Sequence, residues 1–240
     1  MGWALVTGAG IRVGRAIALQ LAQQGCDLVL HAHRSAEALE SLAEEAQDLG
    51  RRALILPADL GARAARESWL ERVRGEVDSL DVLVNNAAIY DARDIAAVDY
   101  GAWDEMMALN LEAPYFITRG LLGLLRQGHR PMVVNITDSG LDWPDPGYSH
   151  YFAAKAGLAM LTRVLALELA PDIRVNAVAP GTVAFPPDFT EAQRGEITQA
   201  IPLGRVGEPQ DVARAVGYLH TSGHFVTGQS ISVDGGRSAC

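Results

Sequence analysis

Apolar residues in this chain fall into short unbroken runs. These alternate with longer stretches in which apolar residues recur every three or four positions. The unbroken runs are Trp3–Thr7, Asp27–His31, Ala53–Pro57, Leu80–Val84, Met132–Ile136, Ile173–Ala177 and Ser230–Val233. They are short and for the most part continuously apolar rather than alternating, the pattern of strands covered on both faces of a parallel sheet. Helical periodicity predicts helices near 14–24, 35–49, 62–76, 103–127, 150–170 and 208–220. Leu39, Leu42, Ala43 and Ala46 form one such stripe. Strand–helix–strand repeats joined by right-handed crossovers build a doubly wound sheet. The expected fold is therefore a single α/β domain over 1–240, Rossmann-type, with seven parallel strands and helices on both faces.

Residues 180–207 break this rhythm, with four prolines and four glycines around a short polar helical pattern. A long irregular insert in an α/β domain is expected to be a substrate loop or lid.

Composition narrows the choice of partner. The chain has 240 residues, 49% hydrophobic, with a formal net charge of −9. That length suits one domain, and that charge speaks against a nucleic-acid surface while leaving room for a locally basic small-molecule site. Only two cysteines are present, Cys26 and Cys240, so no disulfide framework is expected. No stretch has the length and apolarity of a membrane span, and no leader pattern opens the chain. A cytoplasmic protein acting on a small molecule, without metal, nucleic acid or membrane partner, is the expectation.

The first chemistry lies in "VTGAGIRVGRAIAL", directly after the first strand. Gly8, Gly10 and Gly14 permit a tight turn and close backbone approach, and the helix that follows offers free N–H groups to a pyrophosphate. The second strand ends in "LHAHRSAEA", with His33, Arg34 and Ser35 and no carboxylate before Glu37. An acidic residue here would read the ribose 2′-hydroxyl of NAD. A guanidinium fork and a hydroxyl that also caps the next helix suit the 2′-phosphate of NADP(H) instead.

A second cluster, "TDSGLDWPDPGYSHYFAAKAG", spans 137–157 and holds Lys155, the single lysine beside nineteen arginines. Tyr151 and Lys155 stand four residues apart, on one helix face. A phenol ordinarily titrates near 10, and a neighbouring ammonium favours its anion. The pair is therefore expected to deliver a proton with a lowered tyrosine pKa.

Over nearly its whole length the chain resembles the short-chain dehydrogenase/reductase family. The resemblance rests on the glycine turn at 7–14, "ADL" at 58–60, "NNAA" at 85–88, Asn110, "YFAAK" at 151–155, "VNAVAPG" at 175–181 and "VTGQSISVDGG" at 226–236. It implies that Asp59 and Leu60 lie at the adenine. Asn85, Asn86 and Ala87, with Val13 and the Gly8 region, would line the dinucleotide, and Pro180, Gly181 and Val183 would meet the nicotinamide. Tyr151 would donate the proton with Lys155 as partner, and Asn110 would support a relay water. A homotetramer is implied as well.

Two positions depart from the general family. Arg12 stands where a third glycine is usual, and thirteen residues before Tyr151 stands Asp138 rather than serine, with Ser139 next to it. Both departures, together with "HAHRS", "NLEAPYF" and Tyr90, resemble the narrower pteridine reductases. That resemblance implies an NADPH-dependent pteridine reductase with Asp138 catalytic. Arg12, Tyr90, Asp138 and Tyr151 would contact substrate, with the flat ring stacked on Tyr90. Ala88 lacks the hydroxyl found in parasite-type members. The alternatives are a carbonyl reductase, such as a 3-oxoacyl-carrier-protein or sugar/alcohol enzyme, and a non-catalytic NADPH-binding regulator. At single positions the residues leave alternatives open: Ser139 in place of Asp138 as the group facing Tyr151, Arg12 as an outward salt-bridge partner, and Tyr90 as packing. His150, Tyr148, Asp142 and Asp145 are expected as loop and rim residues, with Tyr148 also placed to touch substrate.

Overall fold

A computed structural model describes residues 2–34, 36–185 and 189–239, and of Ala36 the backbone alone. Seven strands form one sheet in the order β3-β2-β1-β4-β5-β6-β7, and every pairing is parallel. They are β1 (Trp3–Val6), β2 (Asp27–Leu30), β3 (Ala53–Ile55), β4 (Val82–Asn85), β5 (Met132–Ile136), β6 (Arg174–Pro180) and β7 (Ser230–Val233). Strand order reverses between β1 and β4, and a doubly wound sheet opens its ligand crevice at the carboxyl ends beside that point.

The unbroken apolar runs have a simple cause. Alternate residues of one strand enter two separate cores. Ala4 and Val6 of β1 pack with α1 (Arg12–Gln23), α2 (Ala36–Asp48) and α9 (Pro209–Thr221). Trp3 and Leu5 pack with α3 (Arg63–Glu76) and α5 (Ala113–Gly120) on the other face. The stripe Leu39, Leu42, Ala43 and Ala46 is buried as its spacing predicts. At the sheet edge, β7 alternates between exposed and half-buried residues instead.

The pattern near 103–127 is not one helix. It begins at α4 (Tyr100–Met107), passes through a π turn (Ala108–Glu112), continues as α5 and stops at Leu121 before α6 (Leu122–Gln127). The π turn contains Asn110. Its amide Oδ1 accepts from the Ile89 N–H, and its Nδ2 donates to the Ile89 carbonyl, both at 2.9 Å. A tertiary clamp thus coincides with the widened turn, and nothing in the apolar spacing records it.

The long helix α7 (Ser149–Glu168) follows a 3-10 turn over Ser139–Leu141. After β6, the insert continues into α8 (Glu191–Gln199), whose N-terminus Thr190 and Gln193 close in a capping box. No helix among the described residues is long and apolar enough to cross a membrane. None of their His, Cys, Asp and Glu side chains cluster in threes as a metal site would need.

Candidate active site

At the carboxyl ends of the strands lies a cleft of about 1140 Å³. The glycine turn forms its floor. Gly8 has φ +65°, and a side chain on Gly14 would collide with the Gly8 carbonyl. Arg12 also sits at positive φ, +49°. The residue in the place of the family's extra glycine thus keeps a left-handed conformation, at a cost of order 1 kcal/mol. Its side chain is exposed, lines the cleft, and makes no ion pair or hydrogen bond among the described residues. An outward salt bridge is therefore not its role.

Side chains from two neighbouring strands hold the turn in place. Thr7 Oγ1 accepts from the N–H groups of Asn86 and Ala87 at 2.9 and 3.0 Å. Asn86 Nδ2 donates to the carbonyls of Thr7 and Gly8. Asn85 does not line the cleft, contrary to expectation. One residue earlier on β4, it faces the opposite core, where it donates to Asn135 Oδ1 at 2.8 Å. Asn135 in turn donates to Thr162 Oγ1 on α7. The alternation of a strand sends adjacent asparagines to different jobs.

His31, which closes the second apolar run and has no assigned role in the sequence, is a pin. It is buried, and its Nδ1 accepts from the Gly8 N–H at 3.2 Å while Nε2 lies 3.0 Å from the Ala58 carbonyl. That arrangement requires a neutral ring with its proton on Nε2. Burial lowers its pKa to about 4. The available signal was a polar residue closing an apolar strand two positions before His33, which points outward. His31→Leu strips Gly8 of its acceptor and Ala58 of its donor. The KM for NADPH is expected to rise severalfold with kcat nearly kept. An unchanged KM in steady-state kinetics would remove the pinning role.

The remaining predicted cofactor residues mostly converge. Gly10, Val13, His33, Arg34, Asp59, Leu60, Ala87, Pro180, Gly181 and Val183 all line the same cleft. Ser35 lies outside the described residues. His33 and Arg34 are exposed and unpaired among the described residues. A turn that admits no Cβ at Gly14, opening onto a helix N-terminus with free guanidinium groups nearby, fits a phosphorylated dinucleotide. The insert adds Val183, Ala184, Phe189 and Ile197 to the wall.

The proton-handling groups meet at the end of β5. Asp138 caps the Ser139–Leu141 turn, its Oδ1 accepting from the Gly140 N–H at 2.7 Å. Its other oxygen, Oδ2, accepts from the Tyr151 hydroxyl at 2.6 Å. Ser139 is buried, its Oγ has no partner among the described residues, and it does not line the cleft. Asp138, not Ser139, faces the tyrosine. Lys155 is buried one helical turn on and donates to the Ile136 carbonyl at 2.8 Å.

Electrostatics correct one expectation. The Tyr151 pKa is not lowered but held well above its usual value, first by burial and then by the Asp138 carboxylate. The ammonium of Lys155 does not outweigh them. The resting site therefore holds a neutral phenol that donates to Asp138 Oδ2.

Burial also brings the Lys155 pKa down from 10.5 to about 8, partly offset by Asp138. The group is charged at neutral pH and loses its proton as pH rises through about 8. Between the folded value and 10.5 the unfolded chain binds the extra proton, so stability rises with pH in that window. We expect kcat/KM to fall above about pH 8 while thermal stability gains from this group, a gain absent in Lys155→Met. A flat activity profile from pH 7 to 9 would contradict this.

Aromatic rings line the acceptor side. Tyr90 stacks on Tyr148 with centroids 4.5 Å apart and 16° between planes, and it meets the Tyr151 ring edge-on at 4.8 Å. One face of Tyr90 is thus taken by Tyr148, and the plate expected from Tyr90 alone is a pair. Asn110 is brought near but not into the cleft. Both ends of its amide are spent on Ile89, so its side chain holds the backbone leading to Tyr90 rather than a relay water. Asp145 lines the cleft, whereas Asp142 is exposed and not among the residues that line it. His150 is not at the rim. It is fully buried in α7 with neither ring nitrogen bonded among the described residues.

A doubly wound sheet with a glycine-turn cleft, a tyrosine–lysine pair and a carboxylate defines a nucleotide-dependent oxidoreductase. A sequence-family profile described as Enoyl-(Acyl carrier protein) reductase matches residues 8–238. The chain belongs to the short-chain dehydrogenase/reductase family. It is 37% identical over 237 residues to Nodulation protein G of Rhizobium sp. (strain N33), covering 97% of this chain and 95% of that protein. It is 34% identical over 237 residues, with the same coverage, to the 3-oxoacyl-[acyl-carrier-protein] reductase of Synechocystis sp.. The crystal structure of the angucycline C-6 ketoreductase LanV with bound NADP superimposes with a TM-score of 0.91 at 28% identity, covering 100% of this chain and 99% of that one. Two of these three are named for reduction at a keto group, so the narrower pteridine reductase resemblance draws no support from them.

Proposed function

We propose that the protein is an NADPH-dependent reductase of a flat, nitrogen-bearing acceptor of the pteridine type. The observation that carries this is the 2.6 Å hydrogen bond from Tyr151 to Asp138. NADP(H), when bound, supplies the hydride. The other steps belong to the side chains. Arg34 and His33 would hold the 2′-phosphate, and the Gly8 turn and Arg12 would hold the pyrophosphate. Tyr90 and Tyr148 offer aromatic faces to a planar ring.

Proton delivery supports this acceptor class. Tyrosinate beside an ionised Asp138 is unfavourable, since two anions at hydrogen-bond distance oppose each other. The pair therefore gives up its single proton, from Tyr151 Oη, only to a ring nitrogen made basic by reduction, and the tyrosinate left behind, offset by the Lys155 ammonium, takes a proton back from solvent. The carboxylate also accepts from the N–H or amino groups of such a ring. A ketone fits less well, because the same carboxylate opposes negative charge developing on a carbonyl oxygen. Lys155, held by the Ile136 carbonyl, places a positive charge behind the pair.

The second reading is a 3-oxoacyl thioester reductase, favoured by the names of the relatives above. NADPH oxidation, followed by its near-ultraviolet absorbance, separates the two. Purified protein is expected to turn over dihydrobiopterin or dihydrofolate, and to prefer NADPH to NADH in kcat/KM. Turnover of acetoacetyl thioesters with none of the pteridines would overturn the first reading in favour of the second.

A further inference from the structure

The acceptor side of the cleft carries a cation that the Tyr151 chemistry does not use. Arg237 opens the last 3-10 turn, Arg237–Ala239. Asp234 shapes this turn, its two oxygens accepting from the N–H groups of Gly236 and Ser238 at 2.9 and 2.8 Å. The turn packs on Ser139–Leu141, which Asp138 caps. The C-terminal segment is thereby seated beside the catalytic carboxylate, and Arg237 forms part of the cleft wall.

Its guanidinium lies over the ring of Trp143, with the central carbon 3.5 Å from the centroid. Stacking orients the fork without consuming any of its N–H donors. Among the described residues those donors have no hydrogen bond or ion pair. The nearby carboxylates do not take them up. Asp138 is engaged with Tyr151 and Gly140, and neither Asp142 nor Asp145 pairs with Arg237. The other arginines of the cleft, Arg12 and Arg34, belong to the glycine-turn end. On a chain of net charge −9, a half-buried, preoriented and unmatched guanidinium at this end is a site for an anion.

We propose that Arg237, held flat on Trp143, binds a carboxylate or phosphate on the tail of the acceptor, and so selects acid-tailed acceptors over neutral ones. This rests on the reading that the cleft reduces an acceptor beside Tyr151. It does not depend on whether the acceptor is a pteridine or an oxoacyl thioester.

The test is steady-state kinetics at saturating NADPH with two matched pairs. Dihydrofolate, with carboxylates, is compared with dihydrobiopterin, without them. Acetoacetyl-coenzyme A, with phosphates, is compared with ethyl acetoacetate. Arg237→Gln is expected to raise KM for the acid-tailed member about tenfold or more, while kcat and the neutral member change less than about twofold. Arg237→Lys keeps the charge but not the stacked fork and should fall between, as should Trp143→Leu. Added salt should raise the wild-type KM for the acid-tailed member alone.

Equal losses on both members of a pair, or no loss on the acid-tailed one, overturns the proposal. Turnover of only the oxoacyl pair overturns the pteridine reading while still deciding the role of Arg237. A protein that reduces neither pair overturns both.

Discussion

Tyr151→Phe is expected to lower kcat by about 10²–10⁴-fold, the range a positioned general acid contributes. Its fold should be unchanged. The ring stays packed against Met106 and Ala154 and keeps its edge contact with Tyr90, and only the hydroxyl is lost. That hydroxyl makes one hydrogen bond, to Asp138 Oδ2, and Asp138 retains its second bond to the Gly140 N–H. NADPH affinity should change little, because the glycine turn and Arg34 lie at the other end of the cleft. The measurements are single-turnover reduction, NADPH binding and a thermal melt on the same preparation. Retention of more than about a tenth of wild-type kcat would mean that another group delivers the proton.

Asp138→Ser carries the second large effect, and its sign separates the two acceptor classes. Removing the carboxylate takes away the anion that opposes Tyr151 ionisation, so the tyrosine pKa should fall from its raised position. It also removes the acceptor for ring N–H and amino donors. Losing charge-assisted hydrogen bonds of this kind costs about 1.5–3 kcal/mol, or roughly 10–100-fold in kcat/KM for a dihydropteridine. Activity on an acetoacetyl thioester should rise or hold, since no carboxylate then faces the developing oxyanion. Improved pteridine reduction by the serine variant would show that Asp138 is not an acceptor for the ring. Ser139 offers no ready substitute, for its Oγ is buried and turned away from the cleft.

Much of this was legible along the chain. Each of the seven apolar runs overlaps a strand, and β5 and β7 match to the residue. Tyr151 and Lys155 lie where their spacing and the first turn of α7 put them. Less legible was anything that depends on which way a residue turns. Asn85 and Asn86 are identical neighbours, yet one enters a core network and the other clamps the glycine turn. The 103–127 pattern reads as one helix because the π turn at Asn110 barely disturbs apolar spacing. His31 closes an apolar strand with no role visible in the sequence, and only its two hydrogen bonds place it under Gly8.

The sequence by itself determined the elements, their parallel alternation, the glycine turn and the tyrosine–lysine pair. These follow from local periodicity, from backbone conformations only glycine allows, and from fixed spacing on a helix. Only the tertiary structure decided that Asp138 rather than Ser139 meets Tyr151, that the phenol is held neutral, and that Arg237 reaches the cleft stacked on Trp143. Those outcomes depend on burial and on distances between residues remote in sequence. A pKa, in particular, belongs to a surrounding and not to a residue type.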